Sequence, residues 1–165
     1  MCSDNQIAEL DLSNGAKLDA LNCANNCISN LNLSNVPVLT YLDCANNQLT
    51  RLDLSNVPKL EHLECHDNKL IALDLSKVPA LTNLWCQGNL LTKLELSRIP
   101  AHGSLHYLGN QLTMLSLATV PELVFLRCDN NPITDLDIRL HSKLTSLKCD
   151  PGVELKKLPK QKFAK

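Results

Sequence analysis

Residues Leu39–Lys59 read LTYLDCANNQLTRLDLSNVPK, and Leu60–Ala80 read LEHLECHDNKLIALDLSKVPA. The two segments carry the same residue at each apolar step, at the Cys (Cys44, Cys65), at the Asn (Asn47, Asn68) and at the closing Val-Pro pair. Working outward, the same 21-residue spacing runs through Leu18, Leu39, Leu60, Leu81, His102, Leu123 and Leu144. A repeat of ~20–50 residues marks a solenoid, in which no unit can bury its apolar face alone and stacked neighbours share one continuous core.

The spacing within a unit predicts its path. Leu42 and Cys44 alternate with Tyr41 and Asp43, so a short strand points the first pair inward and the second outward. Successive coils then stack these strands into a parallel sheet at ~4.8 Å per step. The Asn of each unit (Asn26, Asn47, Asn68, Asn89, Asn110, Asn131) ends the strand and is placed to satisfy backbone groups that a buried turn cannot leave unpaired. The return leg repeats the apolar spacing with Leu49, Leu52 and Leu54 but has no helical period. It is expected to be extended or 3₁₀, with little α-helix. Pro37, Pro58, Pro79, Pro100 and Pro121 fix the corner into the next strand.

The pattern L-x-x-L-x-C-x-x-N-x-L-x-x-L-D-L-S-x-V-P-x resembles the 21-residue bacterial leucine-rich repeat. It is especially similar to internalin-like proteins in which Cys replaces an inward Leu to make a cysteine ladder. The resemblance covers residues 7–150 or so. It implies an α/β-class leucine-rich-repeat solenoid, a horseshoe with its parallel sheet on the concave face, that binds proteins or glycans, often in pathogens or symbionts. The expected organisation is a partial repeat over 1–17, six repeats over 18–143, and a degenerate repeat with a cap and basic tail over 144–165. Val153, Leu155, Leu158 and Phe163 run out of register there.

Six of the eight Cys occupy one position of the repeat: Cys23, Cys44, Cys65, Cys86, Cys128 and Cys149, with Tyr107 in the place of a seventh. A row of thiols pointing into an apolar core has neither zinc-ligand spacing nor disulfide pairing logic, so its expected role is packing. Cys2 and Cys27 are read as lying off the ladder, with Cys27 the exposed thiol. So many unpaired thiols favour a reducing compartment. The expected location is therefore intracellular, either bacterial cytoplasm or a host cell into which the chain is delivered. A secreted or lipid-anchored form is the alternative if an N-terminal signal was removed, a start at Cys2–Ser3 being the weak hint.

Net charge is −1, which gives no global pull towards nucleic acid or an anionic membrane, and no stretch has the length and apolarity of a span. Charge is polarised all the same: residues 1–74 hold ten acids and four bases, and five lysines stand in the last ten residues.

Outward strand positions form three rows. The central row is Asn22, Asp43, Glu64, Trp85, His106, Arg127 and Lys148, grading from acidic to basic. The row before it contains Tyr41, His62 and Phe125; the row after it contains His66, Leu108 and Asp129. Five Phe, Trp and Tyr occur in the whole chain, and three stand on these rows. Tyr and Trp bury much area for little entropy, so the expected partner-binding residues are Tyr41, Asp43, His62, Glu64, His66, Trp85, His106, Leu108, Phe125, Arg127 and Lys148. The bland reading is scattered surface aromatics and a polar stripe.

The strand-borne His62-x-Glu64-x-His66 has zinc-ligand types but no identifiable group to orient the two imidazoles, and no metal or other cofactor is expected. The L-D-L-S row (Asp11, Asp53, Asp74) is expected to bond return-leg amides. No acid stands beside a nucleophile or base, so the chain is not expected to be an enzyme. The expected partner is a protein or peptide, neither nucleic acid nor membrane, and the chain a monomer. Two other classes stay open: a substrate-targeting domain of a larger enzyme such as a ubiquitin-ligase effector, or a self-assembling or surface adhesin protein. The fifth coil, with His102-Gly103-Ser104 and Tyr107, is the irregular one.

Overall fold

The computed structural model describes residues 2–96 and 104–159. Seven of its nine three-residue strands form one parallel sheet: β1 Ala20–Asn22, β2 Tyr41–Asp43, β3 His62–Glu64, β4 Asn83–Trp85, β5 Ser104–His106, β6 Phe125–Arg127 and β8 Ser146–Lys148. Neighbours in that sheet pair in the register of the 21-residue repeat, Leu21 on Leu42, Leu42 on Leu63, and so on to Leu126 on Leu147. The described residues contain no helix.

Alternation does what the spacing predicts. The middle Leu of β1 to β6 is buried, as is the residue two positions on (Cys, or Tyr107 after β5), and so are the return-leg leucines such as Leu49, Leu52 and Leu54. Cys23, Cys44, Cys65, Cys86 and Cys128 form the buried column, with Tyr107 fully buried among them and Cys149 half-buried at its end. No disulfide links the thiols. Burial pushes the Cys65 and Cys86 thiols well above the ordinary range, so they pack as small apolar groups and do not ionise.

The Asn column supplies the polar half of the core. Asn47 Nδ2 donates to the Cys23, Cys44 and Ala45 carbonyls at 3.0, 3.1 and 3.1 Å, and its Oδ1 accepts from the Ile28 amide at 2.9 Å. One side chain thus ties two neighbouring coils. The pattern repeats at Asn68, Asn89 and Asn131. At the corner, Val57 N–H donates to Leu54 O and Leu60 N–H to Val57 O, two consecutive tight turns around Pro58. On the return leg, Asp11, Asp53 and Asp74 accept from the backbone amides two residues on, at 2.8–2.9 Å, which is the role expected for the L-D-L-S row.

One expectation at the ends is corrected. Cys2 is on the ladder: it stands one period before Cys23, its amide donates to Asn22 O at 3.0 Å, and it packs on the core. The C-terminal segment leaves the 21-residue register, as expected, yet still pairs with the coil before it. β9 Glu154–Lys156 pairs in parallel with β7 Asp135–Asp137, Leu155 on Leu136, because the coil through Asp150-Pro151-Gly152 is two residues shorter than the others. Val153 and Leu155 are half-buried there and Leu158 is exposed. Phe163, like His102 and Gly103 of the irregular coil, lies outside the described residues.

Candidate partner-binding face

The registers align Asp43, Glu64, Trp85, His106, Arg127 and Lys148 in one row, and set Tyr41, His62 and Asn83 in the row before it. Strands a few residues long, held by buried leucines on both sides, give these side chains a rigid base. Trp85 is 39% exposed. Its ring lies 5.3 Å from that of His106, and His106 stacks on Phe125 at 5.0 Å and 20°. Tyr41 and His62 form a looser pair at 6.3 Å. Trp85, His106 and Phe125 therefore make one continuous aromatic strip over three coils.

His106 is half-buried. Burial, then the charge of Arg127, holds its pKa below the usual histidine value, so the ring in the strip is neutral at pH 7. Asp129 sits beside the strip's basic end. Burial pushes its carboxyl up, but the bond from Arg127 Nε at 3.0 Å and the charges of Arg127 and Lys148 (3.4 Å) outweigh that and keep it below the usual range. At the acidic end, Tyr41 Oη donates to Glu64 Oε1 at 3.1 Å, and Asn22 Nδ2 donates to Asp43 Oδ2 at 3.0 Å. The Tyr41 phenol, pushed up to about 12 by burial and by Glu64, remains a donor. Among the described residues no cation pairs with Asp43 or Glu64.

The structure thus brings Glu64, Trp85, His106, Phe125 and Arg127 together and gives four other expected positions, Asp43, Leu108, His62 and His66, particular surroundings. Asp43 is buried, with Oδ1 accepting from the Ala45 amide, so it supports the face more than it presents itself. In row three Ala24, Ala45 and Asp129 are buried, while His66, Gln87 and Leu108 are half-buried, as are Glu64, His106 and Phe125. In the His62-x-Glu64-x-His66 stretch, the histidines' Nδ1 atoms are engaged by Asn83 at 2.7 Å and by Asp67 at 2.9 Å. No described group of His, Cys, Asp or Glu has the arrangement of a metal site.

Two features were not read from the sequence. A recess of about 160 Å³ opens between β3 and β4, framed by His62, Glu64, Asn83 and Trp85 over Leu63. On the return side, Met114 and Leu140 are 75% and 65% exposed and line a separate groove with buried His141, whose Nε2 lies 3.1 Å from Leu117 O. His141 stands one period after Val120, in the column that elsewhere holds Val57 and Val78, which is the signal that would have marked it.

Repeat, buried Cys and Asn columns and parallel sheet define a leucine-rich-repeat protein of the 21-residue type with a cysteine ladder. The family model for leucine-rich repeats (2 copies) matches residues 37–77. The fold is similar to the functional domain of InlJ from Listeria monocytogenes, which includes a cysteine ladder (30% identity, TM-score 0.76, 92% of this chain and 38% of that one). It is also similar to YopM from Yersinia enterocolitica (26% identity, TM-score 0.73, 88% and 31%). At 20% identity, a leucine-rich-repeat protein from Leptospira interrogans shares the fold (TM-score 0.68, 88% and 45%). The chain therefore spans less than half the length of each of these proteins. No curated protein matches it by sequence.

Proposed function

We propose that this chain is a non-enzymatic recognition module that grips a protein or peptide on its concave sheet face. The observation that carries this reading is the strip of Trp85, His106 and Phe125, with the His106 ring against both of the others on the solvent side of the sheet. The chain holds only five Phe, Trp and Tyr, so these rings are not spill-over from an aromatic core. Interfaces draw most of their affinity from such clustered anchors, with a polar surround that excludes water. Around the strip the charged residues are either tied down (Arg127, Lys148) or left without a cation (Glu64), a pattern suited to orienting a partner of complementary polarity.

We further propose that the protein is of bacterial origin and acts as an effector inside a host cell. The similarity to InlJ and YopM and the column of free thiols support this, since such thiols suit a reducing compartment. The experiment is a capture from host-cell lysate with three baits: the unaltered protein, Trp85→Ala/Phe125→Ala, and Met114→Ser/Leu140→Ser on the return side. A protein held by the first and third baits and lost by the second supports the reading. One lost only by the third bait refutes it. Light scattering over a concentration series tests the accompanying expectation of a monomer.

A further inference from the structure

The recess between β3 and β4 is the part of this face with the most defined chemistry. Register places Glu64 beside Trp85 and His62 beside Asn83, so the four side chains stand at its corners. Each corner is held. Tyr41 Oη donates to Glu64 Oε1 from the neighbouring coil, and the Asn83 amide meets His62 Nδ1 at 2.7 Å. Glu64 Oε2 has no hydrogen-bond partner among the described residues. The site thus offers a fixed carboxylate oxygen next to an exposed indole.

The charge around it is uncompensated. At the other end of the same sheet, Asp129 receives both Arg127 and Lys148. Here Glu64 has Asp43 for a neighbour and no cation among the described residues. An anionic group is repelled from such a place. An aliphatic group would cover Glu64 Oε2 without giving it a donor, which is costly. A guanidinium suits both features, since its flat face lies on an indole while its edge donates to a carboxylate. A lysine ammonium is a compact, strongly hydrated charge that lacks the flat face. About 160 Å³ equals the volume of roughly five waters at ~30 Å³ each, room for a guanidinium and the last methylene of its stem.

We propose that the β3–β4 recess receives an arginine side chain of the bound partner, its guanidinium donating to Glu64 Oε2 and lying over the Trp85 ring. This rests on the concave-face reading above and specifies what the partner must present there: an arginine on an extended or protruding segment, opposite the acidic half of the face.

The test uses N-acetyl-arginine amide, N-acetyl-lysine amide and the neutral isostere N-acetyl-citrulline amide, titrated into the whole chain. Trp85 is the only tryptophan, so its fluorescence reports on this site alone, and the amide resonances of Glu64 and Trp85 give a second readout. The arginine probe is expected to saturate both signals in the millimolar range. Citrulline should bind about tenfold more weakly, as loss of a charge-assisted bond implies. Lysine should also bind more weakly than arginine. Glu64→Gln keeps an oxygen for the Tyr41 hydroxyl and should weaken arginine about tenfold while leaving citrulline unchanged.

Citrulline binding as tightly as arginine, an unchanged Glu64→Gln, or no saturable response to arginine overturns the proposal. If the probe fails while Phe125→Ala still loses the captured partner, the arginine site falls and the concave-face reading stands. If Phe125→Ala and Glu64→Gln both keep the partner at full affinity, the recess is not a partner contact and both readings fall.

Discussion

Replacing Asn47 by Ala removes the side chain that ties its own coil to the one before it, and the structure locates the cost. The carbonyls it serves keep other donors: Cys23 O retains Asn26 Nδ2, Cys44 O retains Asn68 Nδ2, and Ala45 O retains the Asn25 amide. The Ile28 amide does not. Ile28 is 1% exposed and its N–H donates to Asn47 Oδ1 at 2.9 Å, so the variant leaves a buried donor with no acceptor. An unsatisfied buried group costs about 1–3 kcal/mol, and loss of the net contribution of the remaining bonds adds about 1. Asn47→Ala should therefore destabilise by about 2–4 kcal/mol. Urea unfolding followed by far-UV circular dichroism measures it, with an unchanged slope showing that the same surface is exposed. The exposed neighbour Gln48→Ala is the control and should stay within about 0.5 kcal/mol. Amide exchange at Ile28 should quicken more than at Leu91, the equivalent residue two coils from Asn47, because a solenoid couples nearest neighbours. A loss below about 0.5 kcal/mol, matching the control, would refute the assignment of the Asn column as the polar half of the core.

With N-ethylmaleimide under native conditions, Cys27 should be alkylated first and Cys23, Cys44, Cys65, Cys86 and Cys128 should stay unmodified, as peptide mass spectrometry will show; early labelling of Cys65 would contradict the buried column. His106 should titrate below the usual histidine value by NMR, and Arg127→Ala should raise its pKa only part of the way back, since burial is the larger cause. Because the folded pKa is depressed, the unfolded chain binds the proton more readily, so stability should fall as pH drops below about 6.5. His106→Gln should flatten that slope, and an unchanged slope would exclude His106 as its source. Trp85→Ala should weaken a captured partner by about 2 kcal/mol or more, about thirtyfold, by calorimetry.

The framework was legible because a solenoid writes its geometry into the period. Leu42, Cys44, Asn47, Leu49, Leu52 and Leu54 recur every 21 residues, and each recurs for one physical reason in every coil. The aromatic strip was legible too, since strand alternation puts Trp85 and Phe125 outside. What escaped depended on local backbone or on contacts between coils. Asn25, Asn46, Asp67, Gly88, Gly109 and Asn130 share a left-handed turn position at φ 51–65°, filled by the residue types that tolerate it, directly after row three, where Ala24, Ala45 and Asp129 are buried. Cys2 lacked the flanking leucines that mark the column elsewhere, so only its distance from Cys23 revealed it. The pairing of the last coil was not legible because it is two residues shorter through Pro151-Gly152, which breaks the numerical period while preserving the pairing of Leu136 with Leu155. The recess at Glu64 needed the Tyr41 bond and the Asn83–His62 contact, both between residues 21 or more apart.

The claim on which the functional account depends is that the strand face, and not the return side, meets the partner. Photo-crosslinking from p-benzoylphenylalanine placed at position 85 and, separately, at position 114, each with the captured partner present, tests it most directly. A covalent adduct from position 85 and none from position 114 is the predicted result. An adduct from position 114 alone would contradict the account.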